Sequence, residues 1–190
     1  ELNSFGELFP GDYIILVEDE EGCQAEMTAT VADTDSLVAT VTSSDVSCFG
    51  DTNGDVQISA EGGTNAYEYS ADGTEFSSSP IFIDLIPGTY TYYVQDSNEC
   101  QTSVEATINE PDELTVTGTI MNDTGAGDGS LDIDIAGGNG GNTISWTGPD
   151  SFTSADEDLT GLVSGEYTVT ITDSNDCTVT ATFGVPVGVD

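Results

Sequence analysis

The sequence predicts an all-β protein made of antiparallel β-sandwich modules in tandem, and three observations predict it. First, the pattern Leu-x-x-Gly-x-Tyr-x-x-x-Val/Ile-x-Asp-x-x-x-Cys occurs three times, each copy 77 residues after the last. It reads Leu8, Gly11, Tyr13, Val17, Asp19, Cys23; then Leu85, Gly88, Tyr90, Val94, Asp96, Cys100; then Leu162, Gly165, Tyr167, Ile171, Asp173, Cys177. Self-similarity at a fixed spacing marks an array of one structural unit. Second, apolar residues in each copy stand two apart, as in Tyr90, Tyr92, Val94 and Tyr167, Val169, Ile171, so one face of an extended strand is apolar. Third, short strand-like runs are separated by turn-forming Gly, Asn and Asp about every 8–12 residues, the rhythm of a sandwich.

Each element follows from these signals. A Pro-Gly or Ser-Gly turn precedes the repeated strand, a polar turn such as Asp96-Ser97-Asn98-Glu99 follows it, and a second strand begins at the cysteine. The repeated stretch is therefore a β-hairpin. Residues 1–35 match only the last third of a unit, with strands at Tyr13–Val17 and Gln24–Val31, and are expected to belong to a repeat whose earlier strands lie upstream or come from another chain. Residues 36–112 form the complete repeat, with strands expected at Leu37–Thr42, Asp55–Ala60, Tyr67–Ser70, Ile81–Leu85, Thr89–Gln95 and Gln101–Ile108, and a short one near Phe76. Residues 113–190 repeat the plan at Leu114–Thr119, Ser130–Ala136, Thr143–Thr147, Leu159–Leu162, Glu166–Thr172 and Thr178–Phe183. Trp146 stands where Tyr69 stands one repeat earlier. An aromatic there is similar to the buried aromatic on the third strand of immunoglobulin-type sandwiches, and Leu-x-x-Gly-x-Tyr resembles their tyrosine corner. The expected fold is thus a set of tandem immunoglobulin-like modules with a 77-residue repeat.

Charge narrows the function. The 190 residues include 36 carboxylates and no Lys, Arg or His, a formal charge of −36. Nucleic acid and anionic membrane surfaces are bound largely through Lys and Arg, so neither is expected as a partner. No apolar run reaches the roughly 18 residues that span a bilayer, and direct membrane insertion is not expected. Such a charge repels itself unless cations screen or bind it, which points to a saline or Ca²⁺-rich extracellular setting. Catalysis has little to stand on: without His, Lys or Arg there is no Ser-His dyad, catalytic lysine or guanidinium clamp, and the chain is read as not an enzyme. Four cysteines at turn-like positions, without Cys-x-x-Cys spacing or any His, look like disulfide partners rather than a zinc site.

The residues Ser47-Cys48-Phe49-Gly50-x-x-Asn53-Gly54-x-Val56, Gly62-Gly63, Tyr67-x-Tyr69-Ser70-x-Asp72-Gly73 and Leu85-x-x-Gly88-x-Tyr90, with Asp96 and Cys100, resemble the SprB-type repeat of very large surface adhesins of gliding Bacteroidota. The middle unit carries the resemblance in full and the N-terminal hairpin in part. The last unit departs from it: no cysteine precedes Gly129, and Gly148-Pro149 replaces the Asp-Gly turn. The resemblance implies an exported cell-surface adhesin filament, sent out by the type IX system, with no catalytic residues.

Within an immunoglobulin-like order, Cys100 opens the last strand at one end of its unit while Cys48 lies in the first loop at the other end. Those ends are about 20 Å or more apart, whereas bridged Cα atoms lie within about 7 Å. Tandem stacking would bring Cys48 to Cys177 of the next unit, an inter-module bridge; a Cys48–Cys100 bridge and free thiols remain the alternatives. The same stacking would gather Asp51, Asn53 and Asp55 with Glu110, Asp112, Asp173 and Asp176, a candidate Ca²⁺ site. Position 62, where an EF-hand needs its bidentate Glu, is Gly, so any such site is not an EF-hand, and the Asp51–Asp55 string also makes an Asx turn with no metal. Asn122 in Asn-Asp-Thr and Ser36 in Asp-Ser-Leu are candidate glycosylation positions. The resulting expectation is the stalk of a bacterial cell-surface adhesin filament whose partners are neighbouring repeats of the same or identical chains, with extracellular glycans or surfaces beyond them. The alternatives are a Ca²⁺-dependent carbohydrate-binding module of a secreted protein, which needs exposed aromatics on one face, and a subunit of a strand-complemented filament.

Overall fold

The computed structural model describes residues 5, 6, 8–33 and 35–188. The outermost residues of the first and last expected repeats, 1–4 and 189–190, lie outside the described residues. The described chain is all-β, its sheets are antiparallel with a single parallel bridge between Asp123 and Val187, and apart from one 3₁₀ turn at Pro149–Ser151 the described residues form only strands and loops.

The first two strands, β1 (Gly11–Glu18) and β2 (Gln24–Val31), pair as an isolated antiparallel hairpin with Gly11 opposite Val31 and Glu18 opposite Gln24. The middle repeat supplies β3 (Val38–Ser44), β4 (Gly54–Glu61), β5 (Glu68–Ser70), β6 (Ile81–Leu85), β7 (Gly88–Gln95) and β8 (Gln101–Ile108). They form two three-stranded sheets, ordered β3-β4-β6 and β5-β7-β8. The short strand expected near Phe76 is a single bridge between Tyr69 and Ser77.

The C-terminal repeat is the clearest sandwich. β9 (Thr115–Met121), β10 (Gly129–Ala136) and β13 (Leu159–Leu162) make one sheet, ordered β13-β10-β9. β11 (Thr143–Thr147), β12 (Thr153–Ser154), β14 (Gly165–Thr172) and β15 (Thr178–Val185) make the other, ordered β12-β11-β14-β15. Seven strands split three and four, with the sixth strand between the third and the last, is the Greek-key plan of an immunoglobulin-like sandwich. The period-two pattern read in the sequence becomes the core. Leu131 and Ile133 of one sheet face Trp146, Val169 and Ile171 of the other, all at most 2 % exposed. Trp146 donates its indole N–H to the Asp156 carbonyl at 2.9 Å, so its polar atom is satisfied inside that core.

Five expected strands, Gln24–Val31, Ile81–Leu85, Gln101–Ile108, Thr143–Thr147 and Leu159–Leu162, have the expected bounds, and the others differ by one or two residues at one or both ends, where strand ends fray. The repeat also drifts. Gly88 and Gly165 open equivalent strands 77 residues apart, but Gly54 and Gly129 open theirs 75 apart. Both latter glycines mark a close approach: a Cβ on Gly129 would lie 2.7 Å from Val185 Cγ1 and 2.9 Å from the Leu162 oxygen, and one on Gly54 2.7 Å from Ile108 Cγ2.

The chain divides into two compact units, one of residues 1–40, 58–80 and 91–104, the other of 41–57, 81–90 and 105–190. These units do not follow the repeats: the loop between β3 and β4 belongs with the C-terminal repeat.

Candidate inter-repeat junction

The junction begins with a turn that the sequence repeats three times. After the first strand of each hairpin, an aspartate turns its carboxylate back into its own loop. Asp19 Oδ1 accepts the N–H of Glu21 and Cys23 at 2.9 and 2.8 Å; Asp96 Oδ1 those of Asn98 and Cys100, both at 2.9 Å; Asp173 Oδ1 those of Asn175 and Cys177 at 2.8 and 3.0 Å. This bond pair fixes where the cysteine points. The tyrosine at the other end of the hairpin is fixed as locally: Tyr13, Tyr90 and Tyr167 each donate their hydroxyl to the carbonyl four residues earlier, at 2.7, 2.7 and 3.0 Å.

In the C-terminal repeat the second carboxylate oxygen is used as well. Gly137 and Gly138 take positive φ values of 75 and 64°, a conformation that favours glycine, and so bring Asn139 under the turn. Asn139 then donates its backbone N–H and its side-chain amide to Asp173 Oδ2 at 2.8 and 3.0 Å. Burial pushes the Asp173 carboxyl up, but the donors from Asn139, Asn175 and Cys177 outweigh it, and the group lies below the ordinary carboxylate range. A 4 % exposed carboxylate is thereby held ionised.

On this turn sits the loop between β3 and β4. Cys48 and Cys177 are joined by a disulfide with Cα atoms 5.6 Å apart, across 129 residues of sequence. Beside it Ser47 presents its carbonyl to the side-chain amides of Asn139 and Asn175, at 3.0 and 3.3 Å. Cys48 and Phe49 line an open groove together with Glu113, Leu114, Cys177, Thr178 and Val179. Cys23 and Cys100 are free and exposed, so the Cys48–Cys100 alternative is not the pairing of this structure.

The acids expected to share a cation do not assemble. Asp51 turns to its own loop and accepts the Cys48 N–H at 3.2 Å, and Asn53 Oδ1 accepts the Ser47 N–H at 3.0 Å. Glu110 accepts the Gly50 N–H at 3.1 Å, while Asp112 offers its backbone carbonyl to Gly138 N–H at 2.9 Å. Asp55 lies half-buried on β4, and Asp176 takes a positive φ of 64° with its side chain exposed. Asp51, Glu110 and Asp173 thus have oxygens committed to protein N–H donors. Among the described residues no three Asp, Glu or Cys side chains converge as metal ligands. The candidate glycosylation positions Ser36 and Asn122 are both exposed.

Two features escaped the sequence reading, the donors from Asn139 and Asn175 and the buried Asp123, whereas the turn at Asp72 is legible in it. Asn139 and Asn175 supply the donors that seat the loop, and the repeated Asp-Ser-Asn turn signals only the second of them. Asp123, 4 % exposed, accepts the N–H of Gly125, Gly127 and Asp128 on Oδ1 and of Ser164 on Oδ2, at 2.8–3.3 Å. Burial raises its pKa, yet the donors from Gly127, Gly125, Ser164 and Asp128 bring it below the ordinary value. Asp72 ties the turn that follows Ser70: it accepts the Thr74 and Glu75 N–H at 2.8 and 3.0 Å, and donors from Glu75 and Thr74 hold it far below the ordinary range.

No curated protein matches the chain. Among solved structures it is similar to one concerned with Dscam isoform specificity, at 14% identity and a TM-score of 0.35, covering 93% of this chain and 54% of that one. It is similar also to a 282-residue C-terminal fragment of intimin in complex with the intimin-binding domain of its translocated receptor, at 17% identity and a TM-score of 0.35, covering 92% of this chain and 57% of that one. The chain spans little more than half the length of either, and likeness at this level concerns neither ligand nor partner. Residues 40–74, from β3 through the Asp72 turn, match the family model of the SprB repeat.

Proposed function

We propose that the chain is a structural repeat segment of a bacterial cell-surface adhesin, a stalk whose work is mechanical. The SprB repeat at residues 40–74 supports the setting, since such repeats build large surface adhesins. The observation that carries the mechanism is the Cys48–Cys177 bridge, which ties the first loop of one repeat to the hairpin turn of the next. Force applied along the chain runs through that bridge and bypasses the segment between the two cysteines, which stand 129 positions apart. Most of both sandwiches is therefore shielded from extension, and the antiparallel ladders at the junction are spared the load. The one tryptophan, Trp146, is fully buried, so it serves the core and offers no stacking platform for a sugar.

Single-molecule extension from the two termini tests the reading. Under oxidising conditions, unfolding releases only the chain outside residues 48–177. Reductant should add roughly 430–460 Å of hidden length, from about 3.3–3.6 Å per residue. Equal extension with and without reductant would show that the bridge carries no load and would remove the mechanical reading.

A further inference from the structure

We infer that the hairpin turn around Cys100 is a second seat of the same kind, built to receive the Cys-Phe-Gly loop of another SprB-type repeat and to be locked to it by a disulfide. The inference rests on the repeat-array reading above and extends it to a site that is open in this chain. The occupied junction at Cys177 is the template, and the Cys100 turn repeats its glycine pair, its aspartate, its second asparagine and its cysteine, with Thr64 in the place of Asn139. Gly62 and Gly63 take φ values of 73 and 59°, as Gly137 and Gly138 do in the occupied site. They bring Thr64 N–H to Asp96 Oδ2 at 2.9 Å, where Asn139 N–H meets Asp173. Asp96 Oδ1 holds the Asn98 and Cys100 N–H groups at 2.9 Å. Ser36, Leu37, Cys100 and Thr102 line an open groove beside this turn, at the repeat positions of Glu113, Leu114, Cys177 and Val179, which stand next to Cys48 and Phe49 in the occupied junction.

The occupant differs as well. Cys177 is 8 % exposed and bonded, whereas Cys100 is exposed and free. Asn98 lies at the place of Asn175, which binds the Ser47 carbonyl. Its amide gives one N–H to Thr64 Oγ1 at 2.8 Å and has a second for an incoming carbonyl. The fitting partner is therefore a loop of the Ser47-Cys48-Phe49-Gly50 type, from a preceding repeat or from another chain. Closing the bridge removes a proton and an electron from each thiol, and a protein or glutathione disulfide accepts the two electrons and two protons and becomes two thiols.

A direct test uses the oxidised chain and a synthetic peptide of residues 44–55 whose cysteine carries a 2-pyridyl disulfide. The Cys100 thiolate attacks the peptide sulfur, the new S–S bond forms, and pyridine-2-thione leaves, taking up a proton. Cys23 is the internal control, because its turn makes the same two Asp19 bonds but lies on a two-stranded hairpin. Coupling is mapped with Glu- and Asp-specific proteases, the chain having no Lys or Arg. Relative to a scrambled peptide, and normalised to pyridyl-activated cysteamine, the native peptide should raise the Cys100-to-Cys23 rate ratio about tenfold, the factor for 1.4 kcal/mol of specific contact. An unchanged ratio, or the same preference with the scrambled peptide, would overturn the seat. Either failure would leave the mechanical reading of the Cys48–Cys177 bridge to the extension measurement.

Discussion

The hairpins β1–β2 and β14–β15 are nearly the same local object in different surroundings. Both have the tyrosine hydroxyl bonded four residues back and the aspartate that holds the following cysteine N–H. Both pair over eight residues in unbroken register. Their burial is opposite: Val17 is 58 % exposed, while Ile171, two repeats on, is fully buried. Tyr167 and Val169 are likewise at most 1 % exposed, whereas Tyr13 and Ile15 remain half-exposed. The two ends of the hairpin are thus written locally, in side-chain hydrogen bonds spanning four residues. Its stability comes from elsewhere, in the C-terminal repeat from Leu131, Ile133, Trp146 and Leu159 on three other strands. An isolated two-stranded hairpin is marginal in water, and a third strand or a facing sheet is what changes that.

The largest break in this comparison should come from the bridge. Cys48→Ser would leave Cys177 as free as Cys100, and in the chain-entropy account a loop of this length is worth about 5 kcal/mol. Denaturant unfolding followed by Trp146 fluorescence should show a loss of that order, and a loss below about 1 kcal/mol would mean the junction is held without the bridge. Next comes the core itself. Ile171→Ala should cost about 2–5 kcal/mol by removing a fully buried side chain, while Val17→Ala should stay within about 0.5 kcal/mol. Equal costs would show that the first hairpin's apolar face is covered in solution.

A smaller effect should appear in acid. The Asp173 carboxyl is depressed below its ordinary 3.8, so its stabilisation is complete above that value and is lost as pH falls below it. Asp173→Asn should therefore flatten the acid limb of the stability profile below about pH 4, with Asp96→Asn doing the same through its bonds from Thr64, Cys100 and Asn98. An unaltered limb would place acid sensitivity in other carboxylates. The smallest expected effect is that of calcium: at fixed ionic strength, Ca²⁺ should raise the melting midpoint no more than Mg²⁺. A Ca²⁺-specific rise of several degrees would show that the junction acids reorganise around a cation.

What the sequence made legible was what repeats locally. The Tyr90-Tyr92-Val94 alternation, the Asp-x-x-x-Cys turn and the tyrosine corner all act within a few residues, and from them come the hairpins and the sandwich class. The elements that escaped depend on partners far along the chain or on backbone detail. The 3₁₀ turn at Pro149–Ser151 and the two-residue β12 hang on Asp150 and Ser151, at φ values of 52 and 65°. Composition shows that Asp51, Glu110 and Asp173 are acidic but not where their oxygens point. In the fold those oxygens meet backbone N–H groups, so a cluster read as cation ligands is in part a set of loop caps. Asp123 is the same lesson: an Asp-Thr-Gly-Ala-Gly-Asp run looks like a solvated loop, and its buried carboxylate organises four donors.

The bridge between Cys48 and Cys177 also separates two events that are usually one, the cutting of a chain and its parting. One peptide bond cleaved anywhere among the 129 residue steps it encloses, out of a chain of 190, leaves both fragments covalently attached. The exposed turn residues Ala71 and Asp72, and those at Asn139–Asn142, fall inside that span. On a surface bathed in proteases, a molecule of this design could be nicked at such a turn and stay in one piece until a reductant arrived.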